Sequence, residues 1–239
     1  HLIARRLEYA MLAPEKAQPS PMPPQIDRYL ITTELARGGM GRIWRACRAD
    51  DPEATPLAIK QVLTELGGPA AFQRFEIERR VLARLDHPNI VSLLDAGMDA
   101  EGRPYLVTRL VEGAPIDRWC RSAGTDIRGR LALGIQIADA LAHAHRLLIV
   151  HRDLKPANIL VDTAGRVRLL DFGIAKMLDT ATEFTGRDQS LLTLRYAAPE
   201  QLVDGAVGVG VDLYAFGVLL YELLCGASPY PSPRDPAAL

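Results

Sequence analysis

The chain has 239 residues, of which 48% are hydrophobic and 24% charged, a composition that is ordinary for a globular protein with a substantial core. A formal net charge of -1 provides no basic field, so nucleic acid is not expected as a partner. The three cysteines, Cys47, Cys120 and Cys225, lie far apart without metal-ligand spacing, which favours packing roles in a reducing compartment such as the cytoplasm.

The longest apolar run, from Ala215 to Tyr221, is well short of the roughly 18 residues that a membrane span needs. No membrane segment is therefore predicted within this sequence. Because the sequence begins with His1 and not with Met, we expect it to be a piece of a longer protein that could carry a membrane anchor elsewhere. Ala13 to Gln25 contains five prolines, which favours a semi-rigid linker, so residues 1–25 are predicted to be an extension and linker before the folded domain.

Two strand-like runs, Leu30 to Leu35 and Arg42 to Cys47, flank a glycine-rich segment, Ala36-Arg37-Gly38-Gly39-Met40-Gly41. Glycines allow a backbone to approach phosphate closely and to offer N–H donors, since no Cβ stands in the way. The segment is predicted to be either such a phosphate-contacting loop or a plain hairpin turn.

The run from Pro56 to Val62 alternates like a strand and places Lys60 between apolar neighbours. A helix follows, with Phe72, Phe75, Leu82 and Leu85 on one predicted face, and Glu78 falls on the same stripe. A carboxylate on a core-facing stripe is unfavourable unless it is paired. We therefore expect a Lys60–Glu78 ion pair; the alternative is two unrelated solvated charges.

A later helix is predicted from the spacing of Leu131, Ile135, Ala138, Leu141 and His145. The stretch from Ile149 to Ala175 then contains two short strand-like runs, Ile159 to Val161 and Val167 to Leu170, separated by a turn that ends at Gly165. This hairpin is expected to bring Asn158 and Asp171 together. Two oxygen ligands beside Asp153 and Lys155 would suit Mg²⁺ and a phosphate chain.

Three motifs in this order carry a family resemblance: His151-Arg-Asp-Leu-Lys-Pro-Ala-Asn158, Asp171-Phe-Gly173 and Ala198-Pro-Glu200. Together they resemble the signature set of bacterial eukaryotic-type (Hanks-type) serine/threonine protein kinases. The resemblance covers about Tyr29 to Pro229. It implies an α+β, two-lobed fold, with a β-rich small lobe over residues 26–112 and a mainly helical large lobe over 113–239. The family's large lobe has further helices, so this one is expected to be incomplete.

The resemblance also implies roles for residues. Asp153 would orient the substrate hydroxyl and accept its proton, Lys155 would steady the γ-phosphate, and Asn158 and Asp171 would hold Mg²⁺. Lys60, paired with Glu78, would reach the α- and β-phosphates of ATP. The expected nucleotide contacts are Arg37, Gly38, Gly39, Met40, Gly41, Ile43, Ala58, Lys60, Thr108, Leu110 and Leu160. Ala36 stands where the family has its first loop glycine, and Arg109 stands where an acidic residue is common.

The resemblance thus implies ATP-dependent phosphoryl transfer to serine or threonine hydroxyls of protein substrates. Activation by phosphorylation is expected between Asp171 and Ala198, at Thr185 or, second, at Thr182. A pseudokinase or interaction scaffold is one alternative, although its expected loss of a catalytic residue is not seen in the sequence. A small-molecule phosphotransferase is another, but it resembles the chain poorly after the metal site. The oligomeric state is left open, a dimer included.

Overall fold

The computed structural model describes residues 25–38, 41–51, 53, 55–62, 69–172, 195–202 and 208–230. A few side chains within these ranges, that of Glu78 among them, are not described. The predicted linker before residue 25, the loop residues Gly39 and Met40, and the threonines Thr182 and Thr185 lie outside the described residues.

The N-terminal part is a six-stranded antiparallel sheet with one helix. Its strands, in chain order, are β1 (Gln25–Ile26), β2 (Tyr29–Gly38), β3 (Gly41–Arg48), β4 (Leu57–Val62), β5 (Leu93–Met98) and β6 (Pro104–Arg109). They lie side by side in the order β1-β2-β3-β4-β6-β5. The predicted strands on either side of the glycine-rich segment are β2 and β3, which pair from Tyr29 opposite Arg48 to Gly38 opposite Gly41.

Alternation along the strands divides this sheet between two cores. Tyr105 and Val107 of β6 are buried with Ile59 of β4 in a core on one face, whereas Leu106, between them in sequence, is buried in the larger core on the other face. This follows from the two-residue period of side chains along a strand. The sheet is therefore covered on one face by the rest of the molecule.

Helix α1 (Pro69–Leu82) packs against the larger core through Phe75 and Leu82. The predicted helix face is wrong at one end, since the Phe72 side chain is 46% exposed. Three positions rotate an α-helix by about 300°, so Phe72 lies about 60° around the helix from Phe75, toward solvent. Leu85, in the turn after the helix, is buried as predicted.

The C-terminal part is mainly helical. It contains α2 (Ile116–Ser122), α3 (Ile127–Arg146), α4 (Pro199–Leu202) and α5 (Gly210–Cys225), with a small sheet of β7 (Gly113–Pro115), β8 (Ile159–Asp162) and β9 (Val167–Leu169). The Asp126 carboxylate accepts a hydrogen bond from Gly129 N at 2.7 Å and caps α3. Gly226, with a positive φ of 74°, ends α5, as its sequence predicts.

Helix α3 forms where the sequence predicts it, but with a different buried face. The buried positions include Leu133, Ile137, Ala140 and Ala144, whereas Ile135 is 70% exposed. Hydrophobic residues occur on several sides of this helix, so helical spacing alone did not select the correct stripe. Cys225 is also exposed, unlike the packing role predicted for it, while Cys120 is buried.

The lengths and hydropathy of the helices bear on the membrane prediction. Among the described residues, none of the helices combines the length and the apolar character that crossing a bilayer requires.

Candidate active site

A cavity of about 190 Å³ lies between the six-stranded sheet and the helical part. Six of the predicted nucleotide-contacting side chains line it: Ile43, Ala58, Lys60, Thr108, Leu110 and Leu160. Most of the residues that line the cavity are apolar. The charged lining residues are Lys60, Asp171 and Arg109, the last of which follows Thr108 in sequence. An apolar slot with a few polar groups is the usual form of a site for a flat ring system.

The sequence did not identify several other residues of this wall. Leu35, Val91, Leu93, Leu106 and Leu170 also line the cavity. Leu106 could have been found from strand alternation, because its neighbours in β6, Tyr105 and Val107, face the other side of the sheet. The others depend on how distant segments pack.

The catalytic-loop residues are close together beside the cavity. The Lys155 ammonium lies 2.9 Å from Asp153 Oδ2, and the Asn158 amide donates to Asp153 Oδ2 at 3.0 Å and to the Asp153 carbonyl oxygen at 2.8 Å. Both side chains therefore hold the Asp153 carboxylate in one orientation. A carboxylate fixed in this way is placed to accept a proton from a neighbouring hydroxyl.

Asp212 of α5 anchors the backbone of the catalytic loop, a role that the sequence did not reveal. Its carboxylate is fully buried and accepts from the backbone N–H groups of His151, at 2.8 Å, and Arg152, at 2.9 Å. The His145 imidazole adds a contact of 2.8 Å. Arg152 has a left-handed φ of 67°, a strained conformation for a non-glycine residue that Asp212 helps to hold.

His151 is the other buried element of this loop. Its Nε2 is 2.9 Å from the Leu170 carbonyl oxygen, and its ring packs on Phe172, with the centroids 4.6 Å apart. Complete burial lowers the pKa of the imidazole, since desolvation disfavours the charged form. A neutral His151 donating to Leu170 therefore couples the catalytic loop to the segment that carries Asp171.

Lys60 makes a contact that the sequence did not predict, and its expected pair with Glu78 stays a prediction. Its ammonium lies 2.8 Å from Asp171 Oδ2, and the Glu78 side chain is not described. Lys60 projects from β4 into the cavity, where Asp171 meets it from the end of the β8–β9 hairpin. Asp171 has a φ of 49°, again the left-handed region that non-glycine residues rarely occupy.

The hairpin itself forms as predicted. Val161 pairs with Val167, and the turn closes at Gly165, where φ is 75°. Leu170 N donates to the Asn158 carbonyl oxygen at 2.9 Å, so the backbone next to Asp171 is tied to that of Asn158. The two predicted metal ligands are thus neighbours across the base of the hairpin.

The donor set suits Mg²⁺. The Asn158 amide nitrogen makes both bonds to Asp153, which leaves the amide oxygen as the remaining polar atom of that side chain. This oxygen and the Asp171 carboxylate are hard oxygen donors of the kind that Mg²⁺ prefers, with one or two protein ligands and the remainder from phosphate and water. Among the described residues there is no cluster of three or more His, Cys, Asp or Glu side chains that would indicate another metal site.

The glycine-rich segment is described only at its ends. Gly41 lies opposite Val62 in the sheet, and a Cβ added to it would stand 2.3 Å from the Gln61 carbonyl oxygen. Close approach to a neighbouring strand is therefore one reason for glycine at this position, apart from any contact with phosphate. The Arg37 side chain is exposed and is not among the residues that line the cavity.

Comparison with known proteins identifies the family of this chain. The family model described as "Protein kinase domain" matches residues 29–238. This chain belongs to the protein kinase family. The match begins at the first long strand of the sheet and continues past the catalytic loop and α5, so it includes every part of the candidate site.

Several bacterial serine/threonine-protein kinases are similar in sequence. PknA of Mycobacterium tuberculosis is 38% identical over 209 residues, which are 85% of this chain and 48% of PknA. RqkA of Deinococcus radiodurans, described as DNA damage-responsive, is 37% identical, over 89% of this chain and 32% of its own length. PrkC of Bacillus subtilis is 37% identical, with a coverage of 85% and 31%. The chain thus spans half or less of the length of these relatives.

Solved kinase structures share the fold. The kinase domain of M. tuberculosis PknI superimposes with a TM-score of 0.68 at 26% identity, covering 90% of this chain and 82% of the PknI chain. This likeness confirms the predicted two-lobed α+β fold. The six-stranded sheet corresponds to the small lobe and the helices α2 to α5 to the large lobe of that fold.

Proposed function

We propose that this chain transfers the γ-phosphoryl group of ATP to serine or threonine hydroxyls of protein substrates, with Mg²⁺ as cofactor. The observation that supports this best is the Asp153 carboxylate, held by Lys155 at 2.9 Å and Asn158 at 3.0 Å beside an apolar cavity that ends in Lys60 and Asp171. The relatives to which the chain is similar are named serine/threonine-protein kinases, which is the name for enzymes of this reaction.

In this mechanism the apolar cavity binds the adenine, with Ala58 and Leu160 on its walls. The Lys60 ammonium, which contacts Asp171 at 2.8 Å, positions the phosphates. Mg²⁺, held by Asn158 and Asp171, would neutralise charge on the phosphate oxygens. A compact ammonium is suited to this role, and it is notable that only four of the 28 basic residues are lysine, Lys60 and Lys155 among them.

Asp153 acts on the substrate hydroxyl, and Lys155 acts on the phosphoryl group that is transferred. The carboxylate accepts a hydrogen bond from the substrate hydroxyl and takes its proton as the hydroxyl oxygen bonds to the γ-phosphorus. The bond from that phosphorus to the oxygen bridging it to the β-phosphate breaks, and ADP leaves. The Lys155 ammonium is next to the same carboxylate and stabilises charge on the phosphoryl oxygens in the transition state. Because little covalent chemistry is required of the protein, positioning and electrostatics account for most of the expected rate.

The test is incubation with radiolabelled Mg-ATP and either a mixture of proteins or an aminoglycoside, followed by phosphoamino acid analysis. Label on serine or threonine is the expected result. Label on the aminoglycoside alone would favour a small-molecule phosphotransferase, and nucleotide binding without transfer would favour a pseudokinase.

Lys60→Met should lower kcat about 10²- to 10³-fold, by analogy with the loss of a single electrostatic donor from an active site. Arg45→Met is the matched control, because Arg45 is an exposed cation on the neighbouring strand β3. Near-normal turnover of a folded Lys60→Met variant would contradict the role given to Lys60.

A further inference from the structure

A second and larger cavity, of about 600 Å³, opens on the other side of the catalytic loop. It lies between α2, the start of α3, the end of α5 and the segment around Arg195. Lys155 and Pro156 form its edge toward Asp153. A protein substrate whose hydroxyl reaches Asp153 must therefore pass close to this cavity.

The lining is rich in basic residues. Five cationic and two anionic side chains line it, namely Arg118, Arg121, Arg130, Lys155, Arg195, Asp117 and Glu222. This cluster could not be recognised from sequence spacing, because its members come from five separated segments. Lys155 pairs with Asp153 outside the cavity, and Arg121 and Arg195 pair with the two carboxylates inside it. The remaining positive charge is that of Arg118 and Arg130, and it indicates a site for an anionic group.

Both anionic side chains are already neutralised from within. Asp117 accepts from Arg121 Nη2 at 2.6 Å. Glu222 lies 3.3 Å from Arg195 Nη2 and also accepts from the Tyr196 hydroxyl. Burial and this contact with Glu222 raise the pKa of Tyr196 well above its ordinary value, so the hydroxyl stays protonated and donates.

Two of the cations, Arg118 and Arg130, have no carboxylate partner among the described residues. Within the described part of the chain, Arg130 donates to carbonyl oxygens alone, those of Thr125 at 2.8 Å and Leu223 at 2.6 Å, which do not neutralise its charge. Arg118 is exposed and has no carboxylate partner in the part of the chain that the structure describes. Arg195 Nε is buried and, within the same described part, has no hydrogen-bond partner.

We propose that this cavity is a specificity subsite that binds an acidic side chain, Asp or Glu, of the protein being phosphorylated. The inference rests on the proposed function and adds a substrate class to it. A carboxylate matches the planar fork of a guanidinium and would offer acceptors to the exposed guanidinium of Arg118, next to the charge of Arg130. A basic side chain would meet the uncompensated charges of Arg118 and Arg130, and both carboxylates there are already paired.

The experiment uses the full chain and a peptide array in which Glu, Gln or Arg replaces each residue in turn around a central serine. At one or more positions, kcat/KM for Glu should exceed that for Gln by about tenfold, the size of one charge-assisted hydrogen bond. Arg at the same position should be poorer than Gln.

Ratios of kcat/KM within each variant cancel any general loss of activity. Arg118→Glu should abolish or reverse the Glu-to-Arg ratio, and the milder Arg118→Gln should reduce it. Arg195→Gln, which leaves Glu222 with Tyr196 alone, should also shift the ratio toward Arg. The matched control is Arg128→Glu, an exposed arginine of α3 that does not line the cavity, and it should retain the wild-type ratio.

Equal rates for Glu, Gln and Arg at every position would overturn the subsite and leave the kinase proposal intact. A Glu preference that survives both Arg118 variants and Arg195→Gln would also overturn it. If the wild-type chain phosphorylates neither proteins nor peptides, the proposed function is wrong, and the proposed subsite is wrong with it.

Discussion

Asp212 of α5 is expected to be the most sensitive single position outside the reacting groups. Replacing it by alanine removes the acceptor from two buried backbone N–H groups, those of His151 and Arg152. An unsatisfied buried donor costs about 1–3 kcal/mol, and the left-handed Arg152, with φ of 67°, would lose the contact that holds its strain. Together these effects predict a loss of about 3–5 kcal/mol in the free energy of unfolding, a large share of a typical domain's stability.

The assay is urea denaturation of Asp212→Ala and Asp212→Asn beside wild type, with kcat measured where each remains folded. Asp212→Asn keeps the shape and one oxygen, so its loss should be smaller. Asp139→Ala is the control, since this exposed aspartate also contacts a histidine, His87 at 3.2 Å, but at the surface, and the change should be within about 0.5 kcal/mol. A loss below about 1 kcal/mol for Asp212→Ala would refute the anchoring role.

Three further predictions concern other parts of the molecule. Gly41→Ala should destabilise the protein by about 1–3 kcal/mol because its Cβ would stand 2.3 Å from the Gln61 carbonyl oxygen; a thermal midpoint equal to that of wild type would contradict this. Thr185→Ala, and to a smaller extent Thr182→Ala, should lower activity if phosphorylation organises the loop through added negative charge; mass spectrometry after incubation with Mg-ATP checks this, and a fully active, unmodified wild type would exclude it. The stability that His151 contributes should be complete above pH 6.5 and should decline as the pH falls below that value, because burial lowers the pKa of the folded imidazole and the unfolded chain binds the proton more readily. Urea denaturation of wild type and of His151→Gln should show a difference in the free energy of unfolding that shrinks on acidification. A difference that stays constant with pH would contradict this assignment.

The local features of the site were predictable because they depend on neighbours in sequence. The β8–β9 hairpin follows from two β-branched runs and Gly165, and the end of α5 from Gly226. The motif residues Asp153 and Asn158 are five positions apart, so a single loop brings them together. In these cases the pattern and the structure agree because one short segment contains all the information.

Features that depend on packing between distant segments were not predictable. The buried face of α3 could not be chosen from spacing, because Ile135 and Ile137 are both apolar, yet only Ile137 meets the core. Asp212 lies in an apolar run, which signals that it needs a partner, but its partners are about 60 residues earlier in the chain. The contact of Lys60 with Asp171 spans 111 positions, too far along the chain for spacing to indicate it.

We propose that Asp153 accepts the proton of a substrate hydroxyl during phosphoryl transfer. The most direct measurement is single-turnover transfer from radiolabelled Mg-ATP by Asp153→Asn, with nucleotide affinity measured separately and Asp50→Asn, an exposed aspartate after β3, as control. We expect the rate of transfer to fall about 10²- to 10⁴-fold while ATP affinity and the urea midpoint stay near those of wild type. Transfer at close to the wild-type rate by a folded, nucleotide-binding Asp153→Asn variant would contradict this role of Asp153.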